Sequence, residues 1–225
     1  MKKSTAFIAA ILSLFSFGQP LFIKTGVVLS TTGLLLSTSK KVNAENADFY
    51  FNRAYEKAEK GDHTGAISDY TKAIELDPKY KDAYYNRGYS KGELKDYYGA
   101  ISDYTRAIEL DPNDADAYVN RGNAKDDIGD HYGAIADHTK AIEIDPKYTG
   151  AYFNRAYSKG ELKDHYGAIS DYTKAIELDP KYTDAYFNRG IEKELIEDFK
   201  GACADWSKAS DLGDEDAAKL VRDQC

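Results

Sequence analysis

Pro78, Pro112, Pro146 and Pro180 stand 34 residues apart, each closing the run Glu-Leu-Asp-Pro or Glu-Ile-Asp-Pro. A chain that repeats itself at this period is built from one supersecondary unit stacked on copies of itself. Counted from Ala47, the units run 47–80, 81–114, 115–148, 149–182 and 183–216 without insertion.

Each unit reads as two amphipathic helices. In the stretch from Ala100 to Leu110, apolar residues at Ala100, Ile101, Tyr104, Ala107 and Ile108 fall at helical spacing. The stretch stops at Asp111 because a residue preceding proline is pushed out of the α region. The first helix, about Ala83 to Lys95, ends near Asp96, whose carboxylate is suited to cap the next. Small residues recur where paired helices must approach: Ala54, Gly88, Gly122, Ala156 and Gly190 at the eighth position, with Ala at every twentieth and twenty-seventh. Larger side chains there would force the helices apart.

The period, the small-residue pattern and the closing Asp-Pro resemble the tetratricopeptide repeat family over residues 47 to about 216. The resemblance implies an all-α, right-handed superhelical solenoid whose first helices line a concave, peptide-binding groove. Two positions depart from the family pattern. The seventh holds Arg53, Arg87, Arg121, Arg155 and Arg189, and the eleventh holds Lys57, Lys91, Lys125, Lys159 and Lys193. Both should face the second helix, which carries Asp69, Asp103, Asp137, Asp171 and Asp205. A structural Arg–Asp ladder is expected, since an unpaired buried Arg would be costly.

Residues 1–44 hold five Lys and no acid, with uncharged runs from Ser4 to Ile23 and from Thr25 to Ser39. A basic start, an apolar middle and the small-x-Ala sequence Val42-Asn43-Ala44 read as an export signal cleaved before Glu45. The alternative is an uncleaved membrane anchor, because residues 4–23 are about long enough to span hydrocarbon. Either places the chain across or in the cytoplasmic membrane, in the periplasm or cell envelope. At the other end, residues 214–225 read as a capping helix with Ala217, Ala218, Leu220 and Val221 on its apolar face. Antiparallel packing across Gly213 would bring Cys203 and Cys225 level, and in an exported protein a disulfide is expected.

The remaining 181 residues carry 25 basic and 38 acidic groups, a net of -13. Such a surface argues against nucleic acid, whose affinity comes from Lys and Arg displacing counterions. It favours basic partners. Sequence signatures of a phosphate loop, a nucleophile elbow or a catalytic Cys–His pair are missing. Of the four histidines, His63, His131 and His165 occupy the same place in different units, and only His138 lies near another, so neither a metal site nor a cofactor is expected. No catalytic residue is assigned.

Function is therefore sought in the groove. On the first helix, positions two, five, nine, twelve and thirteen share a face. The second gives Asp48, Asp82, Asp116, Gly150 and Asp184; the fifth Phe51, Tyr85, Val119, Phe153 and Phe187; the ninth Tyr55, Tyr89, Asn123, Tyr157 and Ile191. The fifth-position rings can serve ligand contact or packing. Asn52, Asn86, Asn120, Asn154 and Asn188 fill every sixth position. That row resembles the asparagine ladder of the repeat domain in O-linked N-acetylglucosamine transferases, which implies main-chain recognition of an extended peptide; the alternative is that each Asn bonds the backbone of the adjoining repeat. The Lys and Arg of Hsp70/Hsp90 carboxylate clamps are replaced by Phe51, Tyr55, Asp116 and Asn120. The expected function is a scaffold for an extended, basic segment of a protein or peptide partner, the alternative being a structural or self-assembling envelope spacer.

Overall fold

The structure, a computed structural model, describes residues 46–225, and all regular structure among them is helical. The export segment and candidate span at residues 1–44 lie outside the described residues. No described helix is long and apolar enough to cross a membrane.

Five hairpins follow one another: α1 (46–59) with α2 (His63–Leu76), α3 (Lys81–Glu93) with α4 (Tyr97–Leu110), α5 (Ala115–Asp127) with α6 (His131–Ile144), α7 (Thr149–Glu161) with α8 (His165–Leu178), and α9 (Thr183–Leu195) with α10 (Phe199–Asp211). A last helix, α11 (Glu215–Gln224), packs on α10. Each second helix also packs on the first helix of the next hairpin. The first helices α3, α5 and α7 approach one another in turn, which makes them the inner, concave side.

Local chemistry sets the hairpin. The second helices begin where Asp62, Asp96, Asp130, Asp164 and Asp198 accept a hydrogen bond from the backbone N–H three residues on, as in Gly65 to Asp62 at 2.9 Å. The donating residues are glycines because a Cβ there would overlap the capping carboxylate. The helix therefore starts at Tyr97, earlier than the apolar spacing from Ala100 suggests. The first helix ends at Glu93 rather than Lys95, because Lys95 is left-handed (φ 63°) and turns the chain. Gly61, Gly129, Lys163 and Glu197 adopt the same conformation at the corresponding turns. Asp77, Asp111, Asp145 and Asp179 are extended before proline and accept the amide two residues later, at 2.9–3.1 Å.

The core is a column of small residues and rings. The twentieth- and twenty-seventh-position alanines are fully buried in all five hairpins. Between them lie Tyr70, Tyr104, His138, Tyr172 and Trp206, one per second helix. Gly122 and Gly190 are needed beside His138 and Trp206, whose rings occupy the space of a Cβ.

Beside this column runs a polar ladder. Arg121 donates from Nε and Nη2 to both oxygens of Asp137 (2.8 and 2.7 Å), and Lys125 Nζ lies 2.7 Å from Asp137 Oδ2. The same triad recurs around Asp69, Asp103, Asp171 and Asp205. The free Nη1 of Arg121 donates to Thr105 Oγ1 of the preceding hairpin at 3.1 Å, and its guanidinium lies 5.5 Å from the centroid of Tyr118. Arg87, Arg155 and Arg189 repeat both contacts. The ladder thus fastens each hairpin internally and to its predecessor.

At the C-terminal end, Ala217 is buried against Ala202, Trp206 and Ala209, with Leu220 and Val221 packed alongside. Asp214 caps α11 by accepting from Ala217 N–H at 2.7 Å. Cys203 and Cys225 are joined, their Cα atoms 5.8 Å apart.

Candidate functional site: the concave face and the repeat junctions

The concave face is built by side chains that recur one helical hairpin apart. Tyr55, Tyr89 and Tyr157 are 47–49% exposed and form its aromatic row. The fifth-position rings belong to the packing. Phe51 stacks on Tyr80 (4.9 Å between centroids) and Phe153 on Tyr182 (4.9 Å), each also meeting the core tyrosine of its hairpin. Tyr85 packs on Tyr104, and Val119 is 6% exposed.

The acidic residues at the second position, Asp48, Asp82, Asp116 and Asp184, lie at the surface. Two are tied down. Asp116 accepts from Tyr148 O–H at 2.6 Å, and burial, then this carboxylate, raises the phenol's pKa. Asp82 pairs with Lys81 at 3.3 Å.

The asparagine row divides. Asn86 and Asn188 donate from Nδ2 to the backbone carbonyls of Asp82 and Asp184, one turn earlier in their own helices, at 2.8 Å. Asn120 donates to Tyr85 O–H (2.7 Å) and Asn154 to Asn123 Oδ1 (2.9 Å), both in the preceding hairpin. Asn52 is exposed. The bonds to neighbouring hairpins go to side chains, not to the adjoining backbone that sequence reasoning offered as the alternative.

Two features escaped sequence reasoning. Tyr98, Tyr132 and Tyr166, at the start of the second helices, are 75–77% exposed and form a second set of exposed rings, on the second helices instead of the first. Their 34-residue spacing is visible in the chain, but the turn-proximal position gave no sign that the rings stay unpacked.

The second feature lies at the junctions between hairpins. His131 Nδ1 is 2.9 Å from Asp126 Oδ1, and Ser158 Oγ donates to Asp126 Oδ2 at 2.7 Å. His138 Nε2 is 3.5 Å from the same carboxylate. One junction later, His165 Nδ1 is 2.7 Å from Glu192 Oε2, and the Glu192 carboxylate lies over Gly160. Buried carboxylates thus close two junctions. Among the described residues no group of three or more His, Cys, Asp or Glu is arranged to hold a metal ion.

Models of the TPR repeat match residues 55–95, and models of the tetratricopeptide repeat match 82–114, 103–136 and 149–182. No curated protein matches the sequence. Among solved structures, a crystal structure of MamA is 28% identical with a TM-score of 0.69, covering 74% of this chain and 96% of its own. YrrB, described as a TPR protein with an unusual peptide-binding site, is 22% identical with a TM-score of 0.68, covering 87% of this chain and 99% of its own. PilF from Pseudomonas aeruginosa is 17% identical with a TM-score of 0.69, covering 81% and 88% respectively. With helix hairpins stacked through the described residues and repeat models matching residues 55–136 and 149–182, the chain belongs to the tetratricopeptide repeat family, a family of protein–protein interaction scaffolds.

Proposed function

We propose that the protein is an exported or envelope-anchored scaffold that holds an extended, basic segment of a partner protein along its concave face. The observation that carries this reading is the half-exposed Tyr55, Tyr89 and Tyr157 on the inner helices α1, α3 and α7, with Asn123 in the matching place on α5, on a face that also carries surface carboxylates. Tyr supplies contact area at low entropic cost, and a Lys or Arg on the segment gains both carboxylate and cation–π partners.

The asparagines support the reading in part. The Nδ2 groups of Asn86, Asn120, Asn154 and Asn188 are engaged within the protein, so their carbonyl oxygens are the groups that would accept from the segment's backbone amides. A chaperone carboxylate clamp does not fit this face, since Phe51 is packed and Asn120 is committed to Tyr85. The spacer alternative draws less support, because α11 covers the stacking face of the last hairpin.

The test is capture of partners from native envelope extract by the full chain, beside a variant with Asn86, Asn120 and Asn154 changed to Ala and matched in helicity. Loss of a specific protein from the variant supports the reading. Identical capture by both removes the asparagines from the binding surface.

A further inference from the structure

The junction between the first two hairpins has the parts of the closed junctions but lacks their acid. His63 stands where His131 and His165 stand, Ser90 where Ser158 stands, and Tyr70 where His138 and Tyr172 stand. The twelfth position, Asp126 in the third hairpin, is Ala58 here. The separations match: Asp126 precedes His131 by five residues and Ser158 by 32, and Ala58 precedes His63 and Ser90 by the same numbers.

The consequence is a cavity of about 320 Å³ whose lining includes Tyr55, Ala58, His63, Tyr70, Tyr89 and Ser90, and also the exposed Glu59. Tyr70 and Ser90 are 0% exposed, and Tyr70 O–H, Ser90 Oγ and His63 Nδ1 are all buried without a hydrogen-bond partner. Leaving three such groups unpaired costs far more than leaving them in water. Each can donate: burial pushes the Tyr70 phenol up to about 12, so it keeps its proton, the Ser90 hydroxyl can rotate to a partner, and His63 Nδ1 is a donor whenever the ring carries its proton there.

We infer that this cavity is a binding site for a carboxylate supplied from outside the chain, seated where Asp126 and Glu192 sit at the later junctions and held by His63 Nδ1, Ser90 Oγ and Tyr70 O–H. Tyr55 and Tyr89, about half exposed, are part of its lining, and the His63 and Tyr89 rings meet edge to face at 6.4 Å. The surrounding acidity does not bar an anion, because Asp126 is held in the matching place with Asp127 beside it. Charge-assisted bonds from three donors, out of water, outweigh the screened repulsion of the exposed Glu59. The junction between the second and third hairpins differs: Tyr97 and Ala124 replace the His and Ser, so its cavity lacks those two donors.

The site does not depend on the basic-segment reading, and its test uses no partner protein. The full chain, labelled in its histidine rings, is titrated with acetate, N-acetylglutamate amide and N-acetylglycine, representing a free acid, an acidic side chain and a chain end. Sodium chloride at equal ionic strength is the reference. His63 resonances should shift saturably with at least one probe while those of His131 and His165, already paired, stay still. Ala58→Asp should abolish the response by supplying the carboxylate internally, and Ser90→Ala should weaken it about tenfold. The tightest probe names the source. A His63 that responds to none of the three more than to chloride, or an Ala58→Asp variant that responds like the parent, overturns the inference.

Discussion

Arg121 grips both oxygens of Asp137 at 2.7–2.8 Å while its remaining amino group reaches Thr105 of the previous hairpin. One guanidinium therefore joins two helices of its own hairpin and the hairpin before it. Arg121→Leu should lower stability by about 2–3 kcal/mol, since Asp137 stays buried with Lys125 as its sole cation. Arg121→Leu with Asp137→Leu should recover much of that loss, because the cost lies in the stranded charge. Urea titration of both variants checks the order.

The first rung of the ladder gives a pH dependence. The Arg53 hydrogen bond, aided by Lys57, lowers the Asp69 pKa from 3.8 to about 2. A carboxylate depressed in the folded state adds stability that is complete above its unfolded pKa and disappears as pH falls through the folded value. The α1–α2 hairpin should hold its helicity down to about pH 4 and lose stability between there and about pH 2. With Asp69→Asn that acid-induced loss should shrink; circular dichroism of the two proteins across this range decides it.

Three turns are strained. Lys95, Lys163 and Glu197 adopt φ of 62–64°, where Gly61 and Gly129 serve the same turn without a Cβ. Changing each to Gly should stabilise the protein, by up to about 1 kcal/mol per site. Glu56→Gly, at an exposed site in the body of α1, should destabilise and serves as the control.

The cap depends on a covalent tie. Linking Cys203 to Cys225 closes a 22-residue separation and contributes roughly 3 kcal/mol. Intact mass after alkylation without reductant should show no modified thiol. Reduction should increase amide exchange in α10 and α11 first, leaving the α3–α4 hairpin protected.

How much of this was legible in the chain depends on the range of the interaction. The 34-residue period, the Asp caps and the halt before proline are local, so they could be read directly. The Arg–Asp ladder could be anticipated because Arg and Asp recur 16 residues apart, across a single hairpin. The Thr105 contact could not, since it depends on the stacking angle between hairpins. Side-chain direction was equally hidden: Asn86 and Asn120 share a repeat position, yet one bonds its own helix and the other Tyr85. The contrast between Ala58 and Asp126 was visible as letters, but its meaning needed the placement of His63, Ser90 and Tyr70 around one cavity.

The central claim is that the concave tyrosines and their neighbouring carboxylates hold a basic segment. The most direct measurement is the affinity of the captured partner segment, by fluorescence anisotropy at low and high salt, for three proteins: the parent, Tyr55→Ser/Tyr89→Ser/Tyr157→Ser, and Tyr98→Ser/Tyr132→Ser/Tyr166→Ser. Affinity should fall with salt, drop at least tenfold in the first variant and be unchanged in the second. Affinity lost only with Tyr98, Tyr132 and Tyr166 would contradict binding on the concave face and place it on the exposed rings of the second helices.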